Sequence, residues 1–560
     1  MSNTPSESVP GLVTRRPLSR RMFVRVGLAM ASLPILAACG GAATPAAPAA
    51  KPTEAPKPAA AAKPTEAPKP AAGASPAAAS SPAAGASPAA GASPAAGASP
   101  AAAAKPAQTA AGSSTGRTAP PAPEFKPVKI DGKLSVIIDA DFHPDHNVFI
   151  EKKVREFAEK MNYPLDFSTV AAFTGAANIA QKLTAAVQSG DPPDVLTHTE
   201  ATSTLRFLDV LEDVDEVQNA IIKDFGEVFP AGKVLSFVDG KYYAVNHFSR
   251  AGGYFYRENA FKAVGVDPKK DFTDFDKVMD GLLKASDPAK ELYGWGMTAN
   301  RSGDGESIVK NHVLLWGGQL CDETGQLVVL NKAPYSEYAI AGLEYLKSIY
   351  TDPKYAKALP PGVNAWTDPS NNEAYLAGKL IFTNNAGTMF AKAVFDGNPV
   401  KDDTYLMMPP KGLGAGGRVL AGGGAAKRWF VIKGAKNREA ANQLIRYMHS
   451  AEIQKEMFRI SNGYVYPAYE WGWDEPEIKA SDAGQKVTDV WKQYLNHESK
   501  YTGVGSYPAP PNPWVQSLES SNFWTDMFGE VLGGKSAADA VKSAHDRAVR
   551  VFKEFGAKGE

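Results

Sequence analysis

The chain has 560 residues, and its 60 lysine and arginine residues are balanced by 60 aspartate and glutamate residues. This balance excludes the strong basic field by which proteins attract nucleic acid or an anionic membrane surface, so no nucleic acid is expected as a partner. The length is also too great for one hydrophobic core, and we expect the folded part to divide.

The N-terminus carries an export pattern. The run SRRMFVR at residues 19–25 resembles a twin-arginine export motif, and the apolar run at residues 26–38 is too short to span a bilayer. Residues 1–38 are therefore predicted to be a cleaved signal peptide.

The signal ends in the sequence LAAC at Cys39, which resembles a bacterial lipobox. The resemblance implies a diacylglycerol thioether on Cys39 that holds the exported protein at the outer face of the cytoplasmic membrane. The alternative is an ordinary small-residue cleavage site with an incidental cysteine. Cys321 is the only other cysteine, so we expect no intramolecular disulfide once Cys39 is lipidated, and a core or turn position for Cys321.

Residues 39–127 start at the lipidation site and continue as near-repeats of KPTEAPKPAA and GASPAA. The segment has almost no large apolar residues and cannot bury enough surface to offset the entropy of ordering. We predict a disordered tether, which either lifts the folded part through a cell-wall layer or is a simple linker.

The folded part begins with an alternation of strands and helices. β-branched runs predict strands over residues 134–138 and 164–170, and helical spacing of apolar residues predicts helices over 147–161 and 177–189. A further strand is predicted to start at Asp194. This alternation predicts an α/β fold with a parallel sheet covered on both faces.

The segment VDGKYYAVNHFSRAGGYFYRENAFKAVGVDP, residues 238–268, has two aromatic, β-rich runs separated by a polar stretch with glycines. The pattern predicts a chain that leaves one hydrophobic layer, crosses a polar gap at residues 246–253 and enters a second layer. It is interpreted as a hinge crossing.

Later elements follow from periodicity and cap residues. The sequence TDFD at residues 273–276 resembles a capping box that opens an amphipathic helix. Further helices are predicted at 312–316, 335–350, 371–377, after a cap at Asn437, and at 536–555, with a strand at 380–383. The glycine-rich KGLGAGGRVLAGGG at 411–424 lacks the order of a phosphate-binding loop and is interpreted as turns and close backbone approach.

Five stretches occur in an order that one family shares: the crossing segment above, LTAAVQSGDPPDVL, EAYLAGKLIFTNNAGTM, WFVIKGAKNREAANQLIRYM and GEVLGGKSAADAVKSAHDRA. Together they resemble the extracellular solute-binding proteins of ABC importers, in the maltose-binding-protein-like group. The resemblance implies a type II periplasmic-binding-protein fold, with two α/β lobes, each a mostly parallel sheet flanked by helices, joined by a multi-strand hinge of three crossings. The implied boundaries are 128–248 and 386–428 for lobe 1, and 249–385 and 429–560 for lobe 2, with the third crossing at 429–432.

In open α/β sheets a ligand binds beyond the carboxyl ends of the strands, and a hinge between two lobes buries it there. The polar candidates at such positions are Asp139, Asp141, His143, His198, Glu200, His247, Arg250, Asn385 and Thr388. Aromatic faces cover the apolar side of a sugar ring, and the candidates, each with a core position as its alternative, are Trp366, Trp429, Tyr464 and Trp524. The sequence SNFW at Trp524 resembles the place of a ring-stacking tryptophan in the family. His198 and Arg250 depart from the family pattern, and Arg250 also favours a carboxylated ligand such as a uronic acid.

No metal site or cofactor is predicted, because His143 and His146 form the only close histidine pair and no clustered ligand set accompanies them. The resemblance implies a monomeric receptor, not an enzyme, that closes around a mono- or oligosaccharide and delivers it to the membrane permease of an ABC importer. Two alternatives stay open: a secreted carbohydrate-active enzyme, and a ligand sensor for a membrane kinase.

Overall fold

The computed structural model describes residues 117–171, 179–423 and 425–560. The predicted signal peptide, Cys39 and the tether up to residue 116 lie outside the described residues. Among the helices that are described, none combines the length and apolar character needed to cross a membrane.

Strands and helices alternate along the first half of the described chain, and helices dominate its end. The strands are β1 (Leu134–Ala140), β2 (Leu165–Ala171), β3 (Val195–His198), β4 (Phe237–Val238), β5 (Lys241–Tyr242), β6 (Val245–Ser249), β7 (Gly252–Arg257), β8 (Tyr293–Trp295), β9 (Leu380–Ala386), β10 (Thr404–Met407) and β11 (Ala425–Val431). The α-helices are α1 (Pro144–Met161), α2 (Ile179–Ser189), α3 (Thr202–Phe207), α4 (Asp215–Phe225), α5 (Pro230–Ser236), α6 (Glu258–Lys262), α7 (Pro268–Asp271), α8 (Phe275–Ala285), α9 (Gly303–Leu315), α10 (Tyr335–Thr351), α11 (Asp368–Leu376), α12 (Thr388–Phe395), α13 (Arg438–Met448), α14 (Ala451–Ser461), α15 (Pro476–Lys479), α16 (Gly484–Leu495), α17 (Pro513–Ser520), α18 (Phe523–Leu532) and α19 (Ala537–Glu554).

Lobe 1 is built on a five-stranded sheet in the order β2-β1-β3-β11-β6. β1 pairs in parallel with β2 and β3, whereas β11 pairs antiparallel with both β3 and β6. Val136, Ile138 and Val195 are buried among side chains of α1, α4, α13 and α14. The apolar faces of these strands pack in a core that also includes Phe255, Leu380 and Leu406 from the strands of lobe 2.

Lobe 2 is built on a four-stranded sheet in the order β10-β7-β9-β8. β7 is antiparallel to β10 and β9, and only β8 is parallel to its neighbour. Its core holds Tyr254, Trp295 and Phe382 together with α8, α9, α10, α18 and α19. The predicted α/β architecture with two lobes is confirmed, with strand pairing more mixed than the mostly parallel sheets that were expected.

The chain changes lobe three times, as expected, but only the first change is where the sequence placed it. β6 ends lobe 1 at Ser249 and β7 opens lobe 2 at Gly252, which confirms the crossing within residues 246–253. The second change lies between β10 and β11 and includes residues 408–423. The third lies between α14 and α17, because α13 and α14 pack with lobe 1 and α17 to α19 pack with lobe 2, while α16 lies against β10 of lobe 2.

Two predicted lobe boundaries are therefore wrong. β10 lies within the range 386–428 assigned to lobe 1, but it pairs with β7 in the sheet of lobe 2. β11 includes Trp429, the predicted start of a crossing into lobe 2, yet it completes the sheet of lobe 1 between β3 and β6. The sequence of an apolar strand does not show which sheet the strand joins, because its pairing partners lie far away in the sequence.

Helix starts were more accessible to prediction. α8 begins at Phe275, where the Asp274 side chain accepts from the amide of Lys277 at 3.0 Å, and α19 begins after Ser536, whose hydroxyl accepts from the amide of Asp539 at 3.1 Å. The start of α19 after Ser536 was predicted, whereas the capping box predicted at residues 273–276 would place the cap of α8 at Thr273, one residue before the observed cap Asp274. Cap residues act within one turn of chain, so the information is local.

The described N-terminal segment, residues 117–131, has no regular secondary structure and lies against lobe 1. The ring of Phe125 packs edge-on against Phe157 and Tyr447, with ring centroids 6.0 and 6.3 Å away. The amide of Val128 donates to the Tyr163 hydroxyl at 2.7 Å. The predicted tether boundary at residue 127 is therefore wrong, because apolar and hydrogen-bonding contacts hold the chain from at least Phe125.

The glycine-rich segment between β10 and β11 packs backbone against backbone. A Cβ on Gly412 would lie 2.1 Å from the carbonyl oxygen of Leu315, and one on Gly422 would lie 2.0 Å from that of Tyr501. Only glycine permits such an approach. The interpretation of these glycines as close-approach positions is confirmed.

Candidate functional site

A cavity of 540 Å³ lies between the lobes. Lobe 1 contributes Thr199 and Arg428, and Arg250 enters from the first crossing. Lobe 2 contributes residues of β7, β9 and α9, and the start of α12 and the segments around residues 422 and 501 complete the wall. The lobes also touch away from the crossings, where the rings of Phe207 and Phe555 are 5.9 Å apart.

Three cations line the cavity: Arg250, Lys310 and Arg428. No aspartate or glutamate is among the described residues that line it. The carboxylates that balance these cations lie behind them, away from the wall. The cavity therefore presents hydrogen-bond donors with positive charge, and its acceptors come from amides, hydroxyls and the backbone.

Arg250 is held by a buried ionic network in lobe 1. Its Nη1 donates to Asp141 at 3.2 Å and to the Tyr464 hydroxyl at 2.5 Å, and Tyr464 in turn donates to Asp141. Lys427 lies 2.9 Å from Asp139 and 3.1 Å from Asp141. Burial alone would raise the pKa of Asp141, but the adjacent Arg250 and Lys427 hold that pKa well below its ordinary value.

Lys310 is fixed in the same way in lobe 2. Its Nζ donates to the carbonyl of Gly503 at 2.5 Å and to Glu519 at 3.0 Å. Burial acts to lower the pKa of Lys310, but the neighbouring Glu519 outweighs it, and the pKa lies above its ordinary value. Glu519 also accepts from the amide of Gly505 at 3.0 Å and the indole of Trp524 at 3.3 Å. Lys310 is thus charged and directed by a carboxylate behind it.

Arg428 is bound mainly by backbone oxygen. Its Nη2 donates to the carbonyls of Thr199 and Glu200, both at 2.8 Å. Burial lowers the pKa of Arg428 to about 10, which leaves it charged at neutral pH. Burial also raises the pKa of Glu200, whose carboxylate accepts from the amide of Ala201 at 2.9 Å.

Aromatic side chains form the rest of the wall. Tyr254 and Tyr501 come from lobe 2, and Trp491 and Tyr494 come from α16. The indole of Trp491 donates to Ser249 at 3.1 Å, and the hydroxyl of Tyr494 donates to the carbonyl of Met407 at 2.7 Å. α16 is therefore attached at the end of β6 and at the end of β10, where two of the three crossings begin.

Of the thirteen predicted ligand residues, the structure places Arg250 and Thr388 on the cavity wall. Asp139, Asp141 and Tyr464 lie behind Arg250 in its network. His143 packs against Tyr464 and Phe395.

Three further predicted polar residues flank the wall without lining it, and a fourth, His247, lies inside lobe 1. His198 and Glu200 lie on either side of Thr199, and the Glu200 amide donates to His198 Nδ1 at 2.8 Å. Asn385 follows the wall residue Asn384 but donates instead to Asn372 at 2.6 Å. His247 is buried in lobe 1, where its ring lies next to those of Phe248, Trp429 and His449. This burial lowers the pKa of His247 well below its ordinary value.

The predicted tryptophans do not form a stacking surface here. Trp429 and Trp524 are fully buried in the cores of lobes 1 and 2, and Trp366 is half-buried without lining the cavity. Trp429 is enclosed because β11 is an interior strand of its sheet. Trp524 lies in the first turn of α18, where its indole donates to Glu519. Their core alternative is the arrangement seen.

The wall residues that were not predicted from the sequence include Tyr254, Lys310, Arg428, Trp491, Tyr494 and Tyr501. Tyr254 lay in the predicted crossing segment, and that aromatic run was the available signal. Lys310 lies just before the helix that was predicted at residues 312–316. Its partner Glu519 is 209 residues away, so no local pattern reveals the pair.

Among the described residues, no group of three or more histidine, cysteine, aspartate and glutamate side chains is placed to hold a metal ion. Cys321 is a free, buried thiol, as predicted, and burial raises its pKa to about 12. The arrangement has cations, hydroxyls and aromatic faces around a partly open space. It is suited to binding a small polar molecule between two hinged lobes.

The fold and the cavity together define a two-lobed binding protein. The family model described as bacterial extracellular solute-binding protein matches residues 153–483, more than half of the chain. The chain therefore belongs to the bacterial extracellular solute-binding protein family. No curated protein matches the sequence directly.

Solved structures share the fold at low sequence identity. They include maltose-bound MalE3 of T. maritima, with 18% identity and a TM-score of 0.56 over 75% of this chain and 98% of that one. A sugar transporter from Arthrobacter chlorophenolicus A6 with bound laminaribiose has 16% identity and a TM-score of 0.56 over 75% and 99%. An ABC transporter solute-binding protein from Agrobacterium radiobacter K84 in complex with ribitol has 17% identity and a TM-score of 0.55 over 77% and 99%. These similarities confirm the predicted type II fold.

Proposed function

We propose that this protein is the receptor of an ABC importer and that it binds a carbohydrate in the cavity between its lobes. The observation that carries the proposal is a 540 Å³ cavity whose wall comes from both lobes and from the crossings. Its tyrosines, tryptophan and amides suit the apolar and hydroxyl faces of a sugar. Structures of the same fold hold maltose, laminaribiose and ribitol.

The mechanism we propose is hinge closure. A ligand that first contacts one lobe adds contacts to the other, and this differential affinity favours the closed form, which docks on the permease. The contact between Phe207 and Phe555 joins the lobes without being part of a crossing, so opening the hinge would break it. The protein returns its ligand unchanged and needs no cofactor.

Small-angle X-ray scattering with a panel of mono- and oligosaccharides, polyols and sugar acids tests this proposal. We expect at least one member to bind and to reduce the radius of gyration, and chromatography of the released ligand to show no product. A panel that neither binds nor compacts the protein contradicts the receptor. Product formation would instead support the carbohydrate-active enzyme.

We also propose that Cys39, outside the described residues, carries a lipid anchor. The support is the sequence alone, with LAAC following an apolar run and a twin-arginine motif. In the native host, Cys39→Ser is expected to move the protein from the membrane fraction to the soluble exported fraction. Cys321→Ser is the matched control, since Cys321 is buried, and it should leave membrane attachment intact. Retention of the Cys39→Ser protein in the membrane fraction contradicts the anchor.

A further inference from the structure

The charge of the cavity wall indicates the chemical class of the ligand more narrowly than the fold does. We infer that the ligand is a polyhydroxylated molecule with one anionic group, a carboxylate or a phosphate, held by Arg250, Lys310 and Arg428. This inference rests on the proposed function and narrows its substrate class.

Within the described part of the chain, the charged side chains that line the cavity supply hydrogen-bond donors and no acceptors. Arginine and lysine only donate, whereas a sugar hydroxyl both donates and accepts and needs acceptors in the wall. Three cations line the cavity, and no carboxylate is among the described residues beside them. Such a wall offers more donors than a neutral sugar can use, and a carboxylate or phosphate accepts several of them at once.

The hydrogen bonds that hold Arg250 and Lys310 leave some of their N–H groups unused. Arg250 gives Nη1 to both Asp141 and Tyr464, so these bonds leave the N–H groups of Nε and Nη2 for a ligand. Lys310 gives two hydrogen bonds, to Gly503 and Glu519, and an ammonium has three N–H donors. The Asp141 side chain has no exposed surface. The carboxylates therefore orient the cations without competing for space in the cavity.

The cations of the cavity wall come from both lobes, so closure of the hinge changes the distance between them. Arg250 and Arg428 belong to the lobe 1 side of the cavity, and Lys310 belongs to lobe 2. Closing the hinge brings these like charges closer together, which opposes closure in the absence of a ligand. An anion between them reverses the sign of that interaction. An anionic ligand would thus couple binding to closure more strongly than a neutral one.

The test compares ligands that differ in one group. Titration calorimetry would measure D-glucuronate and glucose 6-phosphate against D-glucose, and D-galacturonate against D-galactose. We expect an anionic member to bind about tenfold to a hundredfold more tightly than its neutral counterpart, because hydrogen bonds to charged groups contribute more than neutral ones. Its affinity should also fall when salt is raised to about 0.5 M. The carboxylate and phosphate arms separate the two sources of the charge.

Variants locate the effect. Lys310→Met is expected to remove most of the preference for the anionic sugar, and Lys310→Arg to retain it. Lys392→Gln is the matched control, because Lys392 is an exposed residue of α12 paired with Asp396 and should leave the preference unchanged. The wild-type comparison decides the matter if Lys310→Met does not fold.

The outcomes separate this inference from the function on which it rests. Equal or tighter binding of the neutral sugars overturns the anionic ligand and leaves the carbohydrate receptor standing. Failure of every sugar and sugar acid to bind overturns both. A preference for anions that survives in Lys310→Met and Lys310→Arg alike contradicts the role of Lys310 in the inferred site.

Discussion

Replacing Asp141 by asparagine is expected to lower the free energy of unfolding by about 3–5 kcal/mol. The Asp141 carboxylate is fully buried, lies 3.2 Å from Arg250 and 3.1 Å from Lys427, and accepts from Tyr464. Asparagine keeps the shape but removes the charge. Arg250 and Lys427 would then share Asp139 alone, and the side chain of Lys427 is only 5% exposed, so water would compensate little of the lost charge.

The pH dependence has a definite sign. Because the pKa of Asp141 is lowered in the folded state, its stabilising contribution is complete above the unfolded pKa of about 3.9 and is lost as the pH falls below that value. Urea unfolding of wild type and Asp141→Asn should therefore differ most near neutral pH. The difference should shrink at about pH 3, where the unfolded carboxyl is mostly protonated.

Controls distinguish a buried charge from a general effect of substitution. Asp396→Asn breaks an exposed pair with Lys392 and should cost less than about 1 kcal/mol. The double variant Asp141→Asn with Arg250→Met removes one charge of each sign and should recover part of the stability. A loss at Asp141→Asn no larger than that at Asp396→Asn would contradict the network.

A feature of the fold could be predicted from the sequence when the interactions that form it are between residues close together in the chain. The crossing at residues 246–253 was predictable because two aromatic strands with a polar, glycine-bearing gap between them are written in one continuous segment. The cap at Ser536 and, to within one residue, the start of α8 were predictable for the same reason. The placement of β11 between β3 and β6 was not predictable, since its seven residues do not identify the strands with which it pairs.

The site was predicted in part because position after a strand carries information. Asp139 lies near the end of β1 and Asp141 directly follows it, and both reach the site as the support of Arg250 rather than as its wall. Trp429 and Trp524 show the limit of residue type as a guide. A tryptophan in an apolar run gives the same pattern in a core and on a binding surface, and its burial depends on the surrounding layers.

Replacing Trp491 by alanine is expected to lower ligand affinity about tenfold or more and to cost about 3–5 kcal/mol of stability. Trp491 lines the cavity, donates to Ser249 at the end of β6, and packs so closely on the segment between β10 and β11 that a Cβ on Gly423 would lie 2.0 Å from its ring. It therefore joins the ligand space to two crossings. Alanine would remove that contact and leave a void at the hinge.

A second tryptophan separates the two effects of this change. Trp473 is also buried in the lobe 1 core, donates to the carbonyl of Tyr469 at 3.1 Å, stacks on Tyr466 and does not line the cavity. Trp473→Ala should cost similar stability in urea unfolding while leaving the affinity measured by calorimetry unchanged. Trp491→Phe should keep most of both, because Ser249 retains its bond to the carbonyl of Pro467 at 3.1 Å. Equal losses of affinity in Trp491→Ala and Trp473→Ala would show that folding, rather than the cavity wall, governs binding, and Trp491 would then have no specific place in the site.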